Sequence, residues 1–332
     1  EIEYKDVVSD SIYVTFDVTK GNDKVPVGTK FMIWTTTPWT IPANLAISMH
    51  PAFTYGIYES AIGDVILLPD LLADVKAATG LTFKLKREVK GADLELIETK
   101  HPLYDRVSLV ITGMHVTSES GTGAVHTAPG HGLEDFVVGQ KYGLDVLCPV
   151  DARGYFTAEA GKYAGLFYED ANKVIISDLK ASGALVAATK VTHSYPHDWR
   201  TDKPLIFRAT PQWFASIDPI RQDLLDAVQK VEWYPRWGEG RISNMISERG
   251  GWTISRQRVW GVPIPIIYNE DGSPLLEAEV FDNIIAEVAK HGTNIWYEKD
   301  AHYFLPKGYK NSASPHGKFT KEVDTMDVWF DS

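Results

Sequence analysis

Cysteine is nearly absent from this chain, and that scarcity narrows the class of protein. Cys148 is the one cysteine in 332 residues, which excludes a disulfide framework and a zinc site made of several cysteines. Such usage is typical of a reducing cytoplasm. Cys148 lies in the apolar run 146–150 without an evident base partner, so we interpret it as a core side chain and not as a nucleophile.

Long apolar runs are missing as well. No stretch approaches the roughly 18 to 20 residues of a membrane-spanning helix. The first residues lack the basic start and apolar centre of a secretory signal, and they resemble a chain entered in the middle of a longer protein. We therefore expect a cytoplasmic protein without membrane contact, and we take a monomer as the expected state.

Positive charge is in short supply overall, but it is unevenly distributed. The net charge is −11, which argues weakly against a nucleic-acid partner. Residues 190–260, however, carry 11 Lys and Arg against 8 Asp and Glu, and a basic segment of this kind can contact phosphates. The competing interpretation is an ordinary solvated surface, which composition alone favours.

The chain is long enough for two domains with cores of their own. Short runs of β-formers recur at regular spacing and predict a β-rich barrel or sandwich; they lie at residues 11–18, 30–34, 45–48, 53–58, 65–68, 83–89, 94–99 and 107–112. Helical periodicity predicts helices at residues 133–142, 220–231 and 281–289. The apolar residues 328–330 predict a buried strand.

The first informative stretch, WTTTPWTIPAN at residues 34–44, follows a predicted buried strand with hydroxyl groups. Each threonine offers one donor and two lone pairs, and its χ1 angle is stiff. Thr35, Thr36 and Thr37 therefore form a ledge that can hold a ribose hydroxyl, an ester carbonyl or a water, with Trp39 as one wall. The alternative is a strand end whose hydroxyls satisfy one another.

The second stretch, GTGAVHTAPGHGLEDF at residues 121–136, combines four glycines with two acids at the start of a predicted helix. A carboxylate in the first turn suits the helix dipole, which by itself explains Glu134 and Asp135. The functional interpretation turns Asp135 toward a cation, most simply an α-ammonium group. His126, at the end of a strand, orients a water or a ligand, or else it is a satisfied core histidine.

Together these two stretches closely resemble the editing domain (CP1) of isoleucyl-tRNA synthetases, which is inserted into a class I catalytic domain. Further matches are YPHDWR at residues 195–200, WTISRQRVWGVPIP at 252–265 and MDVWFDS at 326–332, so the resemblance covers nearly the whole chain. Valyl and leucyl relatives carry a Thr-Thr-Arg-Pro loop. Here Thr37 stands where the arginine would be, which favours the isoleucyl family.

This resemblance implies an α/β protein, in which a β-barrel-rich α+β editing domain is inserted into a partly present Rossmann-like catalytic domain. The implied divisions are an editing domain at residues 1–205, a return into the catalytic domain at 206–268, a small acidic insertion at 269–321 and a catalytic-domain strand at 322–332.

It also implies an activity, the hydrolysis of valine esterified to the terminal adenosine of tRNA(Ile), with water as the nucleophile. A pocket gains only about 1–3 kcal/mol from one methylene, a figure already established with synthetases of this kind, so a second site must reject valine. The implied catalytic residues are Asp135, His126, Thr36 and Thr37. The implied substrate-binding residues are Thr35, Trp39, Thr40, Asn44 and His131, with Asp135 anchoring the α-ammonium group. Trp329 would line the isoleucine pocket of the complete enzyme.

The family's ATP-binding signatures, His-x-Gly-His and Lys-Met-Ser-Lys-Ser, do not occur here. We therefore expect ATP and Mg²⁺ to serve only the full-length enzyme, and we expect this chain to activate no isoleucine. Some relatives carry cysteines in a Tyr-Pro-His-Cys-Trp-Arg-Cys ribbon, where this chain has Asp198 and Thr201. With only His193 and His197 nearby, we expect no metal.

Two other classes of function remain open from the sequence. One is a tRNA-binding module without catalysis, which needs the basic segment but not Asp135 beside a threonine ledge. The other is a free-standing aminoacyl-tRNA deacylase. In each case the expected partner is tRNA, with valine or isoleucine as its ester in the catalytic alternatives.

Overall fold

The computed structural model describes residues 2–332 and divides the chain into two compact units. The first unit ends at Ala209, and the second runs from Thr210 to Ser332. Within the described residues, no helix is both long and apolar enough to cross a lipid bilayer.

The first unit is built on one large sheet. Its strands are, in chain order, β1 (Ile2–Lys20), β2 (Lys30–Thr35), β3 (Ala46–Met49), β4 (Thr54–Ser60), β5 (Gly63–Leu67), β6 (Lys84–Lys90), β7 (Glu98–Lys100), β8 (Val107–Thr112), β9 (Ala124–Thr127) and β10 (Leu185–Asp198). They are hydrogen-bonded in the order β6-β4-β5-β2-β1-β7-β8-β3-β9, and β10 pairs with β1. The pairs β2–β5 and β3–β8 are parallel, so the sheet is mixed.

Central strands of this sheet are buried on both faces, which explains their continuous apolar runs. In β2, Phe31 and Ile33 pack into the main core, whereas Met32 belongs to a second core on the opposite face. The helices α1 (Leu72–Thr79), α2 (Leu133–Lys141) and α3 (Tyr168–Ala181) complete the unit, together with 3₁₀ turns at Pro38–Ala43, Pro69–Leu71, Gly91–Leu94 and Ala158–Tyr163. The strand at residues 30–34 and the helix from residue 133 are confirmed.

The mixed α/β class is confirmed, but the expected closed barrel is wrong. In the part of the chain that the structure describes, the ladder ends at β6 and at β9, and these two strands do not pair. The reason lies in β6, whose sequence KLKREVK is exposed at every position except Val89. Charged side chains along an edge strand oppose further pairing, so they leave the sheet open.

The second unit contains short antiparallel strand pairs and five helices. Its strands are β11 (Phe214–Ala215), β12 (Trp252–Thr253), β13 (Ser255–Arg256), β14 (Ile267–Tyr268), β15 (Thr320–Lys321) and β16 (Thr325–Met326). Its helices are α4 (Arg221–Gln229), α5 (Trp237–Glu248), α6 (Ala278–His291), α7 (Ile295–Glu298) and α8 (Val328–Asp331), with 3₁₀ turns at Asp218–Ile220 and Ala301–Phe304. The parallel sheet of a Rossmann-like domain does not occur within residues 210–332.

Pairing of β14 with β15 brings together the two ends of the segment interpreted as an acidic insertion. That segment has a core of its own, which includes Trp296 and Phe304. The helix predicted at residues 281–289 is confirmed as part of α6.

The buried strand expected at residues 328–330 is wrong. These residues form α8, and the side chain of Trp329 is 80% exposed. The cause is Asp327, whose Oδ1 accepts a hydrogen bond of 2.8 Å from the backbone N–H of Trp329. This N-cap starts a helical turn where the apolar pattern alone indicates a strand.

Candidate active site

The threonine loop and the first turn of α2 face each other across a cavity of about 240 Å³. Its lining brings together most of the residues singled out from the sequence, namely Trp34, Thr35, Thr36, Thr37, Thr40, Val125, His126, Ala128, His131 and Asp135. The carboxylate and the hydroxyl groups therefore share one small space, although about 100 residues separate them in the chain.

The threonine loop is held from behind by side chains that sequence reasoning missed. His101 donates from Nε2 to the carbonyl of Ile41 at 2.9 Å, and Arg106 donates to the carbonyl of Pro42 at 2.6 Å. Burial lowers the pKa of His101 to about 3, so its ring is neutral and its Nδ1 accepts from a backbone N–H. Asn172 on α3 accepts from the backbone N–H of Trp39 at 2.9 Å.

Two hydroxyls of the ledge, those of Thr35 and Thr37, contact each other, and Thr37 also contacts the hydroxyl of the neighbouring Thr40. Thr35 Oγ1 lies 3.2 Å from Thr37 Oγ1, which lies 3.3 Å from Thr40 Oγ1. Both distances are long for hydroxyl hydrogen bonds. The shorter bond runs from Thr40 Oγ1 to the backbone carbonyl of Thr37, at 2.9 Å. The bond from Thr40 to the carbonyl of Thr37 thus orders the loop before a ligand binds. The hydroxyls of Thr35 and Thr37 can exchange their long contacts for hydrogen bonds to a ligand.

His126 occupies β9, where it pairs with Ile47 of β3. Its Nε2 lies 2.9 Å from Thr40 Oγ1, and its Nδ1 lies 2.8 Å from Asn44 Nδ2. Burial lowers the pKa of His126 to about 3, so the ring is neutral near pH 7. Both ring nitrogens are engaged, which makes His126 a fixed, uncharged part of the wall and a poor general base.

Asp135 is half-buried in the first turn of α2, and its Oδ2 accepts a 2.8 Å hydrogen bond from the backbone N–H of Ala128. Burial raises the pKa of this carboxyl group. Among the described residues, no lysine or arginine forms an ion pair with it. A carboxylate that is buried without a cation is costly, and an ammonium group in the cavity would relieve that cost.

Two of the predicted residues, Trp39 and Asn44, lie beside the cavity or behind it. Trp39 is buried and lines an adjoining cavity of about 280 Å³, and its ring meets the edge of His131 with the centroids 4.9 Å apart. His131 donates from Nδ1 to the carbonyl of Phe207 at 2.9 Å. Asn44 is fully buried behind His126 and does not reach the cavity surface. Trp329 belongs to the second unit.

The histidines considered as metal ligands have other partners. His193 Nε2 lies 2.9 Å from Ser9 Oγ, and His197 donates from Nδ1 to the carbonyl of Tyr195 at 2.9 Å. Across residues 2–332 no group of three or more His, Cys, Asp or Glu is arranged to hold a metal ion.

Comparison with known proteins adds the family. The family model of class I tRNA synthetases (I, L, M and V) matches residues 1–332. The chain therefore belongs to the class I tRNA synthetases.

The similar relatives within that class are isoleucine–tRNA ligases. Those of Bacillus subtilis (strain 168) and Staphylococcus saprophyticus are 54% and 53% identical to this chain over its whole length. The chain spans 36% and 37% of the length of these two relatives. A solved structure, the crystal structure of GlLeuRS-CP1, is 16% identical with a TM-score of 0.45, and the match covers 54% of this chain and 99% of that one.

Proposed function

We propose that this chain contains the editing domain and part of the catalytic domain of an isoleucine–tRNA ligase, and that it hydrolyses valine esterified to tRNA(Ile). One observation carries the proposal: Asp135, which lacks a cation partner, and the threonine ledge line the same small cavity. That combination suits an aminoacyl ester, which presents an ammonium group at one end and a ribose with its hydroxyls at the other. The assignment of residues 1–205 as the editing domain is part of this proposal.

Within the cavity, Asp135 anchors the α-ammonium group. One carboxylate oxygen is already held by the backbone of Ala128, so the group is oriented before the substrate arrives. A charge-assisted hydrogen bond of this kind contributes about 1.5–3 kcal/mol. Thr36 and Thr37 then hold the ribose and the carbonyl side of the ester.

Water is the nucleophile in this proposal. Cys148 does not line the cavity, and His126 is neutral with both nitrogens engaged, so neither supplies a covalent or strongly basic group. The water oxygen bonds to the carbonyl carbon, the bond to the ribose oxygen breaks, and the proton lost by the water ends on that ribose oxygen. Acceleration then comes mainly from positioning.

Size selection follows from the apolar part of the wall. Val125 and Ala128 bound the cavity together with the edge of Trp34. If the side chain of the ester lies against this wall, one more methylene crowds packed atoms, which is how the site would accept valine and refuse isoleucine.

Deacylation of valyl-tRNA(Ile) and isoleucyl-tRNA(Ile) by this chain, side by side, tests the proposal. We expect the valyl ester to be hydrolysed at least about tenfold faster. Asp135→Ala should lower that rate by roughly 10- to 150-fold, because it removes the charge-assisted contact. Glu134→Ala is the matched control, since Glu134 occupies the same helical turn but is exposed and lies outside this cavity.

If Asp135→Ala and Glu134→Ala change the deacylation rate equally, the helix dipole accounts for both acids and Asp135 does not bind the substrate. Binding of tRNA without hydrolysis by the parent chain would favour a tRNA-binding module instead. Activity of this chain in the cell in the absence of any longer protein would favour a free-standing deacylase.

Amino-acid activation with ATP and Mg²⁺ is, in this proposal, a property of the complete enzyme. The ATP signatures of the family are absent from this chain. Isoleucine-dependent pyrophosphate exchange by this chain would contradict that assignment. The monomeric state and the cytoplasmic location stay predictions.

A further inference from the structure

Asn44 was expected to contact the substrate, yet its side chain is fully buried and acts on His126 instead. Its Nδ2 carries two hydrogens. One is donated to the carbonyl of Ala46 at 2.8 Å and the other to His126 Nδ1 at 2.8 Å. The reverse orientation of the amide would place Oδ1 against the carbonyl oxygen of Ala46, so the contacts determine which atom is nitrogen.

This orientation sets the tautomer of His126. A ring nitrogen that accepts a hydrogen bond carries no proton, and a neutral imidazole carries its single proton on the other nitrogen. His126 therefore holds its proton on Nε2 and donates it to Thr40 Oγ1 at 2.9 Å. With Asn44 in this orientation, its Oδ1 is buried and has no hydrogen-bond partner among the described residues.

The tautomer in turn decides which acceptor receives the hydroxyl hydrogen of Thr40. Because Thr40 Oγ1 accepts from His126, its own hydrogen goes to the carbonyl of Thr37, 2.9 Å away. Its second lone pair faces Thr37 Oγ1 at 3.3 Å, and Thr37 in turn faces Thr35 Oγ1 at 3.2 Å. Thr40 Oγ1 therefore has no hydrogen left for Thr37 Oγ1, so Thr37 is the donor in the contact between these two hydroxyls.

We propose that Asn44 is a positioning residue, which acts through His126 to keep the Thr40 hydroxyl bonded to the carbonyl of Thr37, and so holds the threonine ledge in the geometry that positions the attacking water. This inference rests on the proposed function. With the opposite tautomer, Thr40 would donate its only hydrogen to His126 and would lose its hydrogen bond to the carbonyl of Thr37.

The tautomer can be measured without any activity assay. In ¹⁵N-labelled chain, with His126 assigned by comparison with His126→Asn, we expect Nε2 to be protonated and Nδ1 bare from about pH 5 to pH 8. Asn44→Asp should move the proton to Nδ1, because a carboxylate only accepts, and should bring His126 into the titrating range. Asn44→Ala should leave His126 as a mixture of both tautomers.

For valyl-tRNA(Ile) deacylation, we expect kcat to fall about tenfold in Asn44→Ala and Asn44→Asp, with KM nearly unchanged. Thr40→Ser should retain most of the activity and Thr40→Val should lose it, because only the hydroxyl group relays the effect. The matched control is Ser48→Ala, which removes the buried 2.7 Å bond between Ser48 and Thr127 on the same pair of strands. It should leave the tautomer and kcat within about twofold of the parent.

A parent chain with the proton on Nδ1 overturns the inference, whatever its activity. So does Asn44→Ala with both the tautomer and kcat unchanged, or Ser48→Ala with the same loss of kcat. If Asn44→Asp does not fold, as judged by circular dichroism, Asn44→Ala decides the matter. A parent chain with the expected tautomer and no deacylase activity refutes the proposed function instead.

Discussion

Replacing Asp135 with asparagine separates the catalytic interpretation of this residue from the structural one. The catalytic interpretation predicts lower activity with higher stability, whereas the structural one predicts unchanged activity with lower stability. The amide has nearly the same shape, and its oxygen can still accept from the backbone N–H of Ala128, 2.8 Å away. What changes is the charge. The variant therefore keeps the local structure and removes only the group that would attract an ammonium ion.

Activity and stability should move in opposite directions. Loss of the charge-assisted contact costs about 1.5–3 kcal/mol of transition-state stabilisation, which is roughly 10- to 150-fold in kcat/KM. Stability should rise, because burial raises the pKa of the Asp135 carboxyl in the folded state above its usual value of 3.8. The folded parent then bears an ionisation cost near pH 7 that asparagine does not bear.

The sign of the pH dependence provides a second check. Below the unfolded pKa the carboxyl is protonated in both states, so the parent bears no cost there. The cost develops as pH rises through the folded-state pKa and is complete above it. The advantage of Asp135→Asn in thermal unfolding should therefore be present near pH 7 and shrink as pH falls toward 3.8.

The assays are deacylation of valyl-tRNA(Ile) and thermal unfolding followed by circular dichroism, each at several pH values. The reasoning is refuted if Asp135→Asn loses stability near pH 7, because the carboxylate is then stabilising the fold through its own contacts. It is equally refuted if the variant deacylates at the parent rate.

Three further outcomes are expected. Burial lowers the pKa of His101 and that of His126 to about 3 in the folded state. The free energy of unfolding should therefore fall as pH drops below about 6.5, by up to about 1.4 kcal/mol per pH unit for each ring. Acid titration followed by fluorescence measures this fall, and His101→Gln should make it less steep. Gly130→Ala should destabilise by about 2 kcal/mol or more in urea unfolding, since the added Cβ would lie 2.1 Å from a backbone oxygen, whereas Gly240→Ala in open space on α5 should stabilise by roughly 0.5–1 kcal/mol. Val125→Ala should enlarge the cavity and raise isoleucyl-tRNA deacylation about tenfold, and an unchanged ratio of the two esters would show that Val125 does not bound the side chain.

Local features of this protein could be predicted from the sequence because their causes are local. The apolar run at residues 30–34 forms β2, and the periodic pattern after Gly132 forms α2. The hydroxyl-rich end of β2 and the acids at the start of α2 were also identified as chemically distinctive from residue type alone. Their presence in one cavity was suggested by resemblance and not by spacing.

Sheet closure and the end of the chain could not be predicted in the same way. Whether β6 pairs with a distant strand depends on edge-to-edge geometry, and the charges of β6 leave that edge open. At the end of the chain, a single N-cap by Asp327 outweighs the β propensity of the apolar residues that follow it.

The sequence by itself determined which groups are available: hydroxyls on a strand end, a carboxylate in a first helical turn, and a histidine on a strand. Only the tertiary structure decided what each group touches. Asn44 contacts His126 across 82 positions of the chain, and His101 and Arg106 hold the loop from 60 and 64 positions away. Hydrogen bonds of this range depend on how the strands pack, and no local pattern of residues encodes that packing.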